Sequence, residues 1–215
     1  SIEGDVQAKD LIFHGGLLFF IEKSDSYKLV AVSAETGEKI YNMPLEDENA
    51  SVIFKNQQGY LNDNGYLRLF SVHSGKITYT FPFKLNQKNI LLSVEDKLIT
   101  QLATGEIVAI DLLSNDILWK TKACNLAFSP TCTSDIILAA VKTNETTHKL
   151  IAFRLEDGQI KWSFNRDVLS FSFLSEVSST DEYTLINGSL ISPLKIKRNI
   201  LAQIDNQTGE INWEL

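Results

Sequence analysis

Apolar residues along this chain fall into short runs separated by small polar turns, and the arrangement repeats. Five segments align without gaps: KLVAVSAETGEKIY (28–41), YLRLFSVHSGKITY (66–79), EIVAIDLLSNDILW (106–119), KLIAFRLEDGQIKW (149–162) and ILAQIDNQTGEINW (200–213). Each holds an apolar run, a turn and an aromatic residue. The turns carry Gly37, Gly75, Gly158 and Gly209, with Asn115 in the third copy, and the aromatic follows four residues later every time: Tyr41, Tyr79, Trp119, Trp162, Trp213. Gly or Asn supplies the positive φ that a tight hairpin demands. The preceding Thr36, Ser74, Ser114, Asp157 and Thr208 are short polar residues able to hydrogen-bond the turn backbone.

The runs LVAV, LRLF, IVAI, LIAF and ILAQI are apolar at nearly every position rather than alternating, so their strands are covered on both faces. The short turns nevertheless make the pairing antiparallel. Blades stacked around an axis satisfy both conditions, whereas a two-layer sandwich leaves one face of each sheet polar. Two more strands precede each core pair, as in SVIFKN and QGYLND of the second copy, or NILLSVED and DKLITQLAT of the third. Repeat units of 5–45, 46–84, 85–122, 123–166 and 167–215 then account for residues 1–215 as a single domain. No capping box precedes a helical stripe, and β-branched and aromatic residues dominate the apolar runs. The pattern predicts an all-β chain, a β-propeller of five four-stranded antiparallel blades.

At these residues the sequence resembles the quinoprotein-like (PQQ-type repeat) propeller family, whose repeat reads as an Ala-X-Asp core strand, a Thr-Gly turn and a Trp. The match is closest at Ala109, Asp111 and Trp119, at Ala152, Gly158 and Trp162, and at Asp205, Thr208, Gly209 and Trp213. The resemblance implies that Trp119, Trp162 and Trp213 pack between blades, with Tyr41 and Tyr79 as weaker equivalents. It favours the non-enzymatic scaffold branch, similar to the outer-membrane assembly lipoprotein propeller, and an extracytoplasmic compartment. Ser33, Ser71 and Arg154 replace the family's Asp. Gln203 stands where other copies have Ala, as if repeat five carried a one-residue bulge. Five repeats are fewer than closed members of the family carry, so the chain is expected to be either a small ring or part of a longer propeller. In an open arc the outermost sheet faces are bare and should pair with another chain or domain.

Composition narrows the function. The net charge is −7, which argues against nucleic acid, whose phosphates want a basic face. The greasiest stretch, LLFF at 17–20, is strand-sized, so no direct membrane insertion is expected. Ser1 in first place and Met43 as the only methionine point to a processed or excised piece. Asn-X-Ser/Thr sequons stand at Asn49, Asn144, Asn187 and Asn206 and point weakly to a secretory route. Cys124 and Cys132 would lie roughly 26 Å apart on a straight strand. Pro130 offers a hairpin that would bring them together, but two buried thiols are the preferred reading.

Candidate chemistry is sparse. The resemblance implies a quinone and calcium in enzymatic members, many of which add a disulfide between adjacent cysteines, and no adjacent pair exists here. His14, His73 and His148 each lie near a turn of a different repeat and read as solvated rather than as a metal site. No nucleophile elbow, P-loop, dinucleotide fingerprint, zinc-protease or calcium-loop motif occurs. Carboxylate pairs Glu46/Asp47 and Glu156/Asp157 sit in turns, where solvation is the default. No catalytic residue, cofactor or metal ligand is therefore expected.

Loop variation remains. NGSLISPLKIKR (187–198) combines apolar residues with a basic cluster, and Leu194, Lys195, Ile196, Lys197 and Arg198 form the favoured partner-binding site. The plainer reading is an extended hairpin whose charges keep it soluble. KTNETTHK (142–149) and the acidic LEDEN (45–49) are expected on the same rim. The sequence reading is thus a non-catalytic protein-binding propeller, a scaffold or assembly factor. Its alternatives are a ligand-binding or enzymatic quinoprotein-type propeller and a luminal sensory or oligomerising domain of a larger protein.

Overall fold

The structure, a computed structural model, describes residues 7–86, 91–127, 129–143, 148–164, 170–191 and 197–215, without the side chains of 7–10, 170–179, 190–191 and 197–198. The described residues form twenty strands and no helix, so no helix is long and apolar enough to cross a membrane. The chain divides into two compact units, Ser1–Leu91 and Leu92–Leu215.

The first unit holds two four-stranded antiparallel blades, each a simple meander. Blade one is β1 (Gln7–His14), β2 (Leu17–Lys23), β3 (Tyr27–Ser33) and β4 (Lys39–Leu45). Blade two is β5 (Ser51–Lys55), β6 (Gln58–Asp63), β7 (Tyr66–Ser71) and β8 (Ile77–Lys84). Blade three, in the second unit but for its first residue, is β9 (Leu91–Val94), β10 (Lys97–Gln101), β11 (Ile107–Asp111) and β12 (Ile117–Lys120). Blade four is β13 (Thr131–Cys132), β14 (Ile136–Lys142), β15 (His148–Arg154) and β16 (Ile160–Ser163). Blade five is β17 (Ser170–Ser179), β18 (Tyr183–Ile191), β19 (Lys197–Asp205) and β20 (Ile211–Glu214), and the sheets of blades four and five touch through the pair His148↔Phe171.

One turn is built five times. The carbonyls of Ser33, Ser71, Asp111, Arg154 and Asp205 accept the N–H of Gly37, Gly75, Asn115, Gly158 and Gly209 at 2.8–2.9 Å. Those five residues have φ of 72°, 67°, 64°, 70° and 76°, the left-handed region that Gly enters freely and Asn tolerates. The Asp of the repeat has a visible purpose. Asp205 Oδ1 accepts the N–H groups of Gln207 and Thr208, both at 2.8 Å, and Asp111 does the same for Leu113 and Ser114. These bonds hold both carboxyls below their ordinary range. In blade four Arg154 instead pairs with Asp157, whose Oδ1 accepts the Gln159 N–H. Asp157 is thus ion-paired as well as solvated.

The expected peculiarity of repeat five is corrected. Register shifts follow Ala31↔Tyr41, Leu69↔Tyr79, Ala109↔Trp119, Ala152↔Trp162 and Gln203↔Trp213 alike. Every outer strand pair carries the bulge, so Gln203 is a plain substitution at a shared position.

Within each unit, an aromatic of one blade seats on the turn of the next. The Tyr41 hydroxyl donates to the Val72 carbonyl at 2.7 Å, and a Cβ on Gly75 would lie 2.5 Å from its ring. Trp119 Nε1–H donates to Leu155 at 3.0 Å over Gly158, and Trp162 Nε1–H donates to Asn206 at 2.8 Å over Gly209. The acceptor is always the residue three before the glycine, and the missing Cβ makes room for the ring. Tyr79 lies edge-on to Phe81 at 5.0 Å and is partly exposed. Behind these contacts lie continuous apolar cores: Phe19, Leu29, Met43, Leu61 and Phe70 in the first unit, and Ile136, Leu150, Phe164, Ile186 and Ile204 in the second.

Candidate functional site

The connection from blade three to blade four builds the most distinctive surface of the second unit. Thr121 ties it to blade three, its N–H donating to the Ile107 carbonyl and its Oγ1 accepting the Ile107 N–H. The buried Gln101 amide donates to the carbonyls of Gly105 at 2.9 Å and Cys124 at 2.7 Å. Farther on, the chain becomes an extra strand on β14. Lys142 N–H donates to Asn125, Leu126 bridges Val141, and Ala127 N–H donates to Ala140.

These attachments enclose a groove of about 650 Å³. Val141, Ile151 and Phe153 form an apolar floor, Ile160 projects at the rim, and Lys120, Lys122 and Lys142 line the same opening. Three lysines among apolar lining residues, on a protein of net charge −7, make the groove locally basic. Glu106 faces Lys120 at 3.7 Å. A second cleft, of about 330 Å³, differs in balance: Glu95, Asp135 and Glu156 offset Lys97, Arg154 and Lys161.

The groove carries no activated nucleophile. Burial holds the Cys124 thiol above its ordinary value and pushes Cys132 up to about 12, which keeps both protonated at neutral pH. Both thiols are free. The segments 125–127 and 131–132 pair with different stretches of β14, around Val141 and at Ile137–Leu138, so the two cysteines are placed toward opposite ends of that strand. That is why no hairpin around Pro130 joins them.

The histidines occupy separate settings. His14 stacks on Phe54 at 5.2 Å and reaches the Asn56 carbonyl, and His73 is an exposed turn residue. His148 pairs across with Lys142, and burial followed by that charge lowers its pKa. Among the described residues no three His, Cys, Asp or Glu side chains converge.

In the first unit the LEDEN loop is capped rather than merely solvated. Buried Asp63 accepts the N–H groups of Glu46 and Asp47 at 2.9 and 3.0 Å, while Arg68 bridges Asp63 and Glu46, both at 3.1 Å. Burial raises the Asp63 pKa against these opposing bonds.

The favoured hairpin contributes strand where it is described: β18 and β19 pair as far as Ile191↔Lys197. Leu194, Lys195 and Ile196 lie outside the described residues, as do the side chains of Lys197 and Arg198 and residues 144–147. Of the sequons, Asn206 is buried and hydrogen-bonded to Thr184 and Thr180, which bars it as a glycosylation acceptor in the folded chain.

Solved structures share the fold. BamB from Moraxella catarrhalis is similar with a TM-score of 0.50 at 15% identity, over 94% of this chain and 73% of that one. Hsv2 from Kluyveromyces lactis gives 0.63 at 13% identity, over 92% and 61%. A europium-containing methanol dehydrogenase gives 0.61 at 9% identity, over 97% of this chain and 51% of that one. Such low identities bear on the fold alone. No curated protein matches in sequence. The family model described as outer membrane protein assembly factor BamB matches residues 63–215, which takes in four of the five turn-and-aromatic segments, those at 66–79, 106–119, 149–162 and 200–213. The chain belongs to that family of PQQ-like repeat β-propellers.

Proposed function

We propose that the chain is a non-catalytic protein-binding propeller, a scaffold or assembly factor, whose groove between blades three and four takes an acidic, apolar-bearing segment of its partner. The observation that carries this reading is the trio Lys120, Lys122 and Lys142 above the floor of Val141, Ile151 and Phe153. Within the groove the lysines match an acidic segment and disfavour a basic one, against the opposite pull of the net charge of −7. Membership in a family described by an assembly factor supports the same role. Of the expected series Tyr41, Tyr79, Trp119, Trp162 and Trp213, it is Tyr41, Trp119 and Trp162 that would hold the blades of each unit rigid, supported by their three hydrogen-bonded seats.

The test uses two labelled peptides, one alternating Glu with Leu and one alternating Lys with Leu, in fluorescence polarisation. The Glu/Leu peptide should bind in a salt-dependent way and lose at least about tenfold in affinity when Lys120, Lys122 and Lys142 are all changed to Glu. Equal binding of both peptides, or an indifferent triple variant, refutes the groove. The hairpin is tested alongside it by changing Lys195, Lys197 and Arg198 together, and unchanged binding removes that loop from the interface.

A further inference from the structure

Directly before its aromatic, each outer strand carries two residues, and blade three fills these places differently. The pairs are Lys39 and Ile40 in β4, Ile77 and Thr78 in β8, Ile117 and Leu118 in β12, Ile160 and Lys161 in β16, and Ile211 and Asn212 in β20. In the other blades an apolar residue stands beside a polar one. β12 has two apolar residues there, and they are 40% and 48% exposed. The turn in front repeats the contrast. Leu113 is 76% exposed at the position held by Glu35, His73, Glu156 and Gln207 in the other copies.

β12 is the last strand of its sheet, paired among the described residues with β11 alone, so its outer edge presents backbone donors and acceptors. Proteins guard such edges with proline, charge or distortion. β4 and β8 carry Pro44 and Pro82, β16 carries Lys161, and β20 carries Glu214. β12 shares the bulge of the other outer strands but is apolar up to its last residue, Lys120. From there the chain runs into the basic groove, whose lining includes Lys120, Thr121 and Lys122. An apolar edge thus passes directly into a cationic one.

We propose that the partner's segment adds to blade three as a further strand on the edge of β12, its apolar half against Leu113, Ile117 and Leu118 and its acidic half in the groove. The inference rests on the groove reading and gives the segment a conformation and a direction. In strand addition the backbone supplies affinity, and side chains at alternate positions supply selectivity. The pairs β10 with β11 and β11 with β12 are antiparallel, the slightly more stable arrangement. A segment added in the same sense meets Lys120 and Lys122 with its first half and Ile117 and Leu118 with its second. Acidic residues therefore precede apolar ones in the partner's sequence.

Fluorescence polarisation on the full chain tests the proposal with two labelled peptides of one composition: a run of Glu followed by alternating Val and Thr, and the reversed order. The acidic-first peptide should bind at least about fivefold more tightly. Methylating its backbone nitrogens singly should weaken binding at every second position of the apolar half, the period of a strand's hydrogen bonds. Leu113→Gln with Leu118→Asn removes the apolar edge without altering charge, using residues that blade five carries at the same places as Gln207 and Asn212. This double variant should keep its circular dichroism spectrum and lose at least about fivefold in affinity. Changing Lys120, Lys122 and Lys142 to Glu tests the groove separately. If that triple variant loses binding while the peptides bind alike, methylation shows no two-residue pattern or the double variant is indifferent, strand addition is overturned and the groove stands. Failure of both peptides to bind wild type overturns both.

Discussion

Trp162 and Trp213 hold the same place in their blades, each opposite a central-strand residue just before the shared bulge, yet one is 7% and the other 41% exposed. Their own strands do not explain the difference. Trp162 meets Gly209 and the Asn206 carbonyl, whereas Trp213 has no following turn among the described residues. Burial of the repeat's aromatic is therefore conferred by the neighbouring turn. Position 203 differs in the same direction: Ala152 is fully buried, and its counterpart Gln203 is only partly so. The comparison separates what each repeat builds alone, a sheet and a turn, from what two repeats build together.

Removing each ring should sharpen that contrast most. Trp162→Ala is expected to cost about 3–5 kcal/mol in urea unfolding, since it deletes a buried indole and orphans the Asn206 carbonyl. Trp213→Ala should cost about 1 kcal/mol or less. Equal losses would break the comparison.

The glycines divide next. Gly209→Ala sets a Cβ at 2.7 Å from the Trp162 ring and strains a φ of 76°. It should cost about 2–4 kcal/mol, strain and displaced packing together. Gly37→Ala meets only the strain, about 1–2 kcal/mol. Thermal unfolding of the pair reads the difference.

Acid gives the smallest effect and reads the turns. Asp205 and Asp111 sit below their ordinary value of 3.8, held first by backbone N–H groups. A carboxyl with a depressed folded pKa binds fewer protons folded than unfolded. Its stabilisation is therefore complete above the unfolded value and lost as pH falls through the folded one. Thermal stability should drop below about pH 4, and Asp205→Asn should flatten that drop while lowering the neutral-pH midpoint by about 2–4 °C. A flat acid profile in the wild type would contradict the capping role.

Much of this was legible in the residues. The all-β class followed from apolar runs interrupted by Gly-aromatic spacing, and the left-handed turn residues, Asn115 included, are where the spacing put them. Features hidden from one-dimensional reading depend on pairing. A bulge common to all five copies left no misalignment to notice, so Gln203 alone looked irregular. The cysteines could be placed only once 125–127 and 131–132 were both seen along β14. Lys120, Lys122 and Lys142 come from a strand end, a connection and another strand end, so their convergence has no sequence spacing to betray it. Arg68 and Asp63 show a related gap: charges five residues apart are ordinary in any chain until burial makes them a pair.

A double-mutant cycle on Trp162→Ala and Gly209→Ala asks most directly whether ring and turn form one interaction. Because either change alone dismantles the same seat, the combined loss in urea should fall short of the sum of the single losses by about 1–3 kcal/mol. Losses that add within about 0.5 kcal/mol would mean the two residues act independently, and seating of one blade's aromatic on the next blade's turn would not be what joins the repeats.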